Sequence, residues 1–169
     1  RTERRLAGAL GTRWIPLEHE TILEIGHIDE LVNDLPEVFS RFRRHVEKKI
    51  PYAMPRAHDP LNSRVELPSG FDVGPLPDLE SLGYEPLEDD PRTVLRFRGG
   101  EQQGLKRLHE WMFEGDNLQH YKQTRNGMLG SSYSSKFSPW LATGCLSARH
   151  VIQETLRYES ERVSNDSTY

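Results

Sequence analysis

A chain of 169 residues is long enough for one domain with a buried core, but with only 35% apolar residues, eleven prolines and thirteen glycines it reads as a folded part joined to a long irregular part. A single cysteine, Cys145, excludes an internal disulfide, and no run of about 18 apolar residues offers a membrane-crossing helix. The formal net charge of −4 argues against a free-standing module that grips DNA by neutralising phosphates.

The sequence starts Arg1-Thr2-Glu3-Arg4-Arg5, without an initiator methionine or a signal-peptide apolar region, and is expected to come from something longer. Residues 3–10 read as the end of a helix that Gly11 stops. Residues 13–17 and 21–25 read as short strands. Leu35-Pro36-Glu37 is expected to open a helix, with Asp34 or Leu35 near the cap and Pro36 in the first turn. Val38, Phe39, Phe42 and Val46 recur at helical spacing through about Lys49, while Arg41, Arg43, Arg44, Lys48 and Lys49 fill the other sides. That pattern is first an amphipathic helix with a solvated basic face, and only second a DNA contact.

Pro51 ends this helix and begins a run with Pro55, Pro60, Pro68, Pro75, Pro77, Pro86 and Pro91. Proline fixes φ and removes a donor, so residues 51–91 are expected to form an irregular linker between two domains. Its part 66–91 is acidic, with no Lys or Arg. Phe71, Leu76, Leu79, Leu82 and Tyr84 point to a strap stapled onto a surface.

Beyond Asp90, residues 92–98 are a lead-in and Gly99-Gly100 a breaker. Glu101 opens a helix with an acidic first turn and an apolar stripe of Leu105, Leu108 and Met112, ending at Gly115. A second helix is expected from Asn117 to Thr124, and Asn126-Gly127 is a turn signal. Ser138-Pro139 reads as an N-cap followed by proline at the first helical position, with Gly144 as the stop. Ser147 caps a last helix, which runs to about Val163.

One loop carries the chemistry. Residues 131–138 hold five serines (131, 132, 134, 135, 138) and Lys136, and end at a helix N-terminus. Hydroxyls, free amides and a lysine together can hold an anion such as a pyrophosphate, although a solvated Ser-rich turn is the plainer reading of the loop alone. Tyr121 and Arg125 are four apart and share a helix face, where a ring and a planar fork of donors can hold a ring and a phosphate; an exposed helix face is again the plainer reading. The seven histidines show no metal-ligand spacing, and no Cys/His pair stands out for nucleophilic catalysis. Trp14, Trp111 and Trp140 read as core packing, and Cys145 as buried and inert.

The order of motifs resembles the photolyase/cryptochrome family. It runs Gly99-Gly100-Glu101, Leu105-Lys106-Arg107-Leu108, Tyr121-Lys122-Gln123-Thr124-Arg125-Asn126-Gly127-Met128-Leu129-Gly130, Tyr133-Ser134-Ser135-Lys136-Phe137-Ser138-Pro139-Trp140-Leu141-Ala142 and Gly144-Cys145-Leu146-Ser147. Thr124-Arg125-Asn126-Gly127-Met128 with Tyr133-Ser134-Ser135-Lys136-Phe137 resembles the DASH branch, and Asp34-Leu35-Pro36-Glu37-Val38-Phe39 and Asn165-Asp166-Ser167-Thr168-Tyr169 continue the likeness. It is dense over 90–169 and sparse over 1–30 and 51–85.

The resemblance implies a mainly α chain: the first helices of an all-helical FAD-binding domain (92–169), preceded by the end of an α/β antenna domain with its following helix (1–50) and by the linker (51–91). It implies that Tyr121 meets the phosphate-ribityl region of FAD. Ser134, Ser135, Lys136, Phe137 and Ser138 would line the pyrophosphate and ribityl chain, with Arg125 as a positioning residue. The implied reaction is light-driven repair of cyclobutane pyrimidine dimers by electron transfer from reduced FAD, preferentially in single-stranded DNA, with the dimer flipped into the flavin pocket. A blue-light-sensing flavoprotein with little repair is the alternative. A pterin antenna, 5,10-methenyltetrahydrofolate, is common in the family, and its ligands do not map onto this chain. No catalytic or metal-binding residue is assigned. A soluble intracellular monomer is expected, and the isolated chain is expected to bind FAD weakly or not at all.

Overall fold

The computed structural model describes residues 2–11, 21–24, 26–28, 33, 35–56, 66–85, 88–127 and 130–162. The architecture is mainly helical, as expected, and the described residues contain no strand. The chain divides into two compact units, residues 1–55 with 146–169, and residues 56–145. The last described helix falls in the first unit, with the N-terminal segments.

In the first unit, α1 spans Thr2–Ala9, and Gly11 takes φ +55 just beyond it. Helix α2 spans Phe39–Lys49. It starts later than the proline pattern indicated. Val38 is extended (φ −109°, ψ 121°) and serves as N-cap, so Pro36 precedes the helix rather than sitting in its first turn. Val46 and Ile50 are buried, whereas Phe39 is 71% exposed with its ring 6.2 Å from that of Phe42. The last described helix, Ala148–Arg162, lies in the same unit and is numbered α6 below.

The expected strand at 21–25 does not form over its described residues: 21–23 are bent and Glu24 is irregular. This short segment is held at separate points. The Ala53 amide donates to the Ile22 carbonyl at 2.8 Å, and Arg149 Nε of α6 donates to the Thr21 carbonyl at 3.0 Å. Arg149 is buried and lies 3.9 Å from Glu24 Oε1. The strand expected at 13–17, Trp14, the cap at Asp34 and the residues beyond Arg162 lie outside the described residues.

Helix α6 begins as its capping residue requires. Ser147 Oγ accepts from the amides of Arg149 (3.1 Å) and His150 (3.4 Å), satisfying donors that a helix start leaves unpaired. Replacing Ser147 by Ala is expected to cost about 1 kcal/mol. A lower urea midpoint with unchanged slope checks this.

In the second unit the proline-rich stretch forms turns and no helix over its described residues. Asp78 and Ser81 hold each other reciprocally: the Ser81 amide donates to Asp78 Oδ1 at 2.7 Å, and the Asp78 amide donates to Ser81 Oγ at 3.1 Å. The Ser81 hydrogen bonds hold the Asp78 carboxyl below its usual range, and Arg92 does the same to Asp90. The expected stapling of the apolar residues is not what the structure shows: Phe71, Leu76, Leu79, Leu82 and Tyr84 are exposed, Leu76 at 95%.

Helix α3 spans Glu101–His109 and continues into a π-helical turn over Glu110–Glu114. Gly100 precedes α3 at φ +96, a conformation that favours glycine. Three consecutive residues of the π turn, Trp111, Met112 and Phe113, are all buried, so it is covered from more than one side. On a regular helix they would spread over roughly 200° of the surface. Helix α4 spans Asn117–Thr124, and α5 spans Ser138–Ala142. The core of the unit is Leu108, Trp111, Met112, Phe113, Phe137 and Trp140. Leu105, expected on the apolar stripe, is at its exposed margin. Trp140 Nε1 donates to the Arg98 carbonyl at 2.8 Å and its ring lies 5.3 Å from that of Phe97, which stitches the lead-in onto α5.

Candidate functional site

The hydroxyl-rich loop lies wholly in the second unit, and its shape is set from α3 and the π turn. Arg107 and Trp111 are four residues apart, so both side chains leave the same face. Arg107 Nη2 donates to the Ser131 carbonyl at 2.5 Å and Nε to the Ser135 carbonyl at 3.1 Å. Trp111 Nε1 donates to the Ser132 carbonyl between them at 2.9 Å. Three loop carbonyls are thus pinned to one side. Burial pushes the Arg107 guanidinium down from its usual value, against the opposing pull of Glu110; a guanidinium stays charged at any physiological pH all the same.

Those bonds dictate where the loop's donors point. In a planar trans peptide the C=O of one residue and the N–H of the next are antiparallel, and the described chain has no cis bond. The amides of Ser132, Tyr133 and Lys136 therefore face away from Arg107 and Trp111. Among the described residues, no backbone amide from 131 to 137 donates to another group of the chain.

The loop's end is turned inward. Lys136 takes φ +56, one of two described non-glycine residues with positive φ, and Phe137 follows in right-handed helical geometry (φ −76°, ψ −14°). Such a left-then-right pair brings successive N–H groups, those of Lys136, Phe137 and Ser138, toward one point, the concavity that binds anions. Strained backbone of this kind costs on the order of 1–3 kcal/mol and is retained where the surroundings enforce it. Here the pinned Ser135 carbonyl on one side and the buried Phe137 ring on the other do so.

The residues singled out from sequence fall as follows. Ser134, Ser135 and Lys136 are half-buried, with Lys136 Nζ 3.5 Å from Ser134 Oγ. Phe137 is 5% exposed and packs edge-on against Trp111 at 5.8 Å. Its ring is spent on the core, so only its backbone faces a ligand. Ser138 is exposed and already helical; Phe137, not Ser138, is the N-cap, and no side chain caps α5. With five residues α5 has barely one turn, so an anion is held here by the loop amides rather than by a helix dipole. Tyr121 is half-buried, its ring 5.7 Å from Trp111 in a T-shaped contact. Arg125 is the residue at which α4 ends, it is exposed, and among the described residues its side chain has no bond to the loop. Met128 and Leu129 lie outside the described residues. Cys145, expected to be buried, is half-buried and accepts a hydrogen bond from Thr143 Oγ1 at 3.3 Å. No cluster of metal-ligating side chains exists among the described residues.

Arg107 and Trp111 are the residues that sequence reasoning did not assign to the site. Their i, i+4 spacing was the available signal; their partners, 21 to 28 residues further along, were not.

The donor set fits a diphosphate such as that of FAD: unspent amides converging on one point, serine hydroxyls and one ammonium. No described helix is long and apolar enough to cross a membrane.

No family model matches the chain. A protein of Gloeobacter violaceus named Cryptochrome DASH is 43% identical over 172 residues, which cover 99% of this chain and 33% of that protein. An Arabidopsis thaliana protein named Cryptochrome DASH, chloroplastic/mitochondrial, is 49% identical over 146 residues, 85% of this chain and 25% of that protein. The crystal structure of a Synechocystis cryptochrome matches with a TM-score of 0.73 at 41% identity, over 96% of this chain and 33% of that one. The chain thus spans about a third of the length of the first of these relatives and of the solved structure. With this identity sustained over nearly its whole length, and with the same helical fold, the chain belongs to the DASH cryptochromes.

Proposed function

We propose that residues 131–138 form the phosphate end of an FAD cradle in a light-driven DNA repair flavoprotein. Its substrate would be cyclobutane pyrimidine dimers, taken preferentially in single-stranded DNA. The observation that carries this reading is the left-handed Lys136 followed by right-handed Phe137, in a loop whose carbonyls are tied to Arg107 and Trp111. Bound there in its reduced form, FAD would supply light-driven one-electron chemistry for splitting the dimer. The residues of this chain bind and orient. The amides of Lys136, Phe137 and Ser138 hold the pyrophosphate, with the hydroxyls of Ser134, Ser135 and Ser138 alongside. The Lys136 ammonium offsets its charge. Tyr121, braced on Trp111, serves the phosphate-ribityl region, and Arg125 serves as a more distant positioning charge.

The repair reading is tested on the full-length protein with reduced FAD, blue light and dimer-containing single-stranded DNA. Light-dependent loss of dimers is expected, and its absence at full FAD occupancy would sink the repair assignment. The cradle is tested separately by Lys136→Gly. Glycine accepts the positive φ, so the backbone stays and only the ammonium is lost. FAD affinity is expected to fall about tenfold, the worth of one charge-assisted contact of ~1.5 kcal/mol. Fluorescence titration reads it, and an unchanged affinity would remove the ammonium from the phosphate site.

A further inference from the structure

A second feature of the same unit also involves Arg107. A pocket of about 190 Å³ is lined by Arg96, Arg98, Lys106, Arg107, Gln103 and Glu110, with Leu95 and Trp140 completing its wall. Four cations therefore meet one carboxylate in a small space. Two of the cations are compensated: Arg96 Nη1 is 2.6 Å from Asp89 Oδ2, and Lys106 Nζ is 3.6 Å from Glu110 Oε1. Two are not. Among the described residues the Arg98 side chain has no hydrogen bond or ion pair. Arg107 spends Nε and Nη2 on loop carbonyls, and its Nη1 has no partner there. Burial already disfavours the Arg107 charge.

We propose that this pocket binds a phosphate group. Like charges crowded beside a partly desolvated guanidinium raise the energy of the ligand-free state, and an anion that accepts from Arg98 and from Arg107 Nη1 removes that cost. Guanidinium forks match tetrahedral oxyanions in geometry as well as charge, and the Gln103 amide adds a neutral donor. The volume falls below the roughly 300 Å³ at which pockets for whole small molecules begin, so the group that enters is a phosphate rather than a nucleotide. The Arg98 backbone is fixed by the Trp140 indole at 2.8 Å, so its side chain starts from a set point on the rim. The pocket shares Arg107 with the scaffold of the loop but uses other donors, Arg98 and Arg107 Nη1 rather than the loop amides, so Arg98 tests it without touching the cradle.

Two sources can present that group, a free phosphate monoester and a phosphodiester of a nucleic-acid strand. The test titrates the full-length protein with inorganic phosphate and, separately, with an undamaged single-stranded oligonucleotide, by calorimetry. Wild type, Arg98→Gln and Arg98→Lys are compared. Arg98→Gln is expected to weaken binding of the operative probe about tenfold, with Arg98→Lys in between, while FAD affinity stays unchanged. Arg98-dependent binding of inorganic phosphate assigns the free monoester; Arg98-dependent binding of the oligonucleotide alone assigns the phosphodiester. If neither probe binds, or if binding of both is indifferent to Arg98, the proposal is overturned.

Discussion

Arg107→Ala is expected to lower FAD affinity ten- to a hundredfold while leaving the helices in place. The Arg107 side chain bonds two loop carbonyls, those of Ser131 and Ser135, four residues apart. A hydrogen bond from a charged donor contributes about 1.5–3 kcal/mol, and here part of that energy holds the Lys136 amide in its outward orientation. Loss of the fork frees the Ser135–Lys136 peptide to rotate, and the donors no longer converge. Arg107→Lys separates charge from shape. Lysine keeps the cation but offers no planar fork that reaches both carbonyls, so it is expected to recover less than half of the lost binding free energy. Flavin fluorescence titration gives the affinities, and far-UV circular dichroism checks the fold. Full recovery by Lys would mean that Arg107 acts through its charge alone.

The second large effect is at Trp111. It is 2% exposed, its ring meets Tyr121 and Phe137 edge-on, and its Nε1 holds the Ser132 carbonyl. Trp111→Ala opens a cavity under the loop and is expected to destabilise the second unit by about 3–5 kcal/mol. Trp111→Phe keeps a ring for both aromatic contacts and deletes the N–H. It is expected to cost about 1–3 kcal/mol, since the buried indole loses both volume and a donor, and to weaken FAD binding more than its stability loss accounts for. Urea unfolding of both variants measures the stabilities. Equal stability of Trp111→Phe and wild type would show that the indole N–H contributes nothing to holding the loop.

The sequence made the helices legible where their signals are local. Glu101 after Gly100 marks the start of α3, Ser147 caps α6, and Gly11 follows α1 in left-handed geometry. Pro36 suits a first helical turn, yet Val38 is extended and α2 starts only at Phe39. The π turn was hidden: Trp111-Met112-Phe113 has no periodicity that separates it from the end of an α-helical stripe, and only packing from several directions reveals it. The strap residues failed differently. Their apolar character points to burial, but Phe71, Leu76, Leu79, Leu82 and Tyr84 are exposed.

At the site, the loop itself was visible from five serines and a lysine, whereas the device that shapes it was not. Hydroxyl content is a local property. The pinned carbonyls depend on contacts across 21 to 28 residues, and the left-handed Lys136 follows from them rather than from lysine's own preferences. Arg125 shows the limit of a local pattern: it keeps helical geometry as the C-cap of α4, with its amide on the Tyr121 carbonyl, yet among the described residues its side chain makes no bond to the loop.

The central claim, that the backbone amides of Lys136, Phe137 and Ser138 hold the flavin's pyrophosphate, is tested most directly by a crystal structure of the full-length protein with FAD bound. The account predicts pyrophosphate oxygens within hydrogen-bond distance of these amides, with Arg107 still on the Ser131 and Ser135 carbonyls. A pyrophosphate bound elsewhere, with these amides turned to solvent, would contradict it.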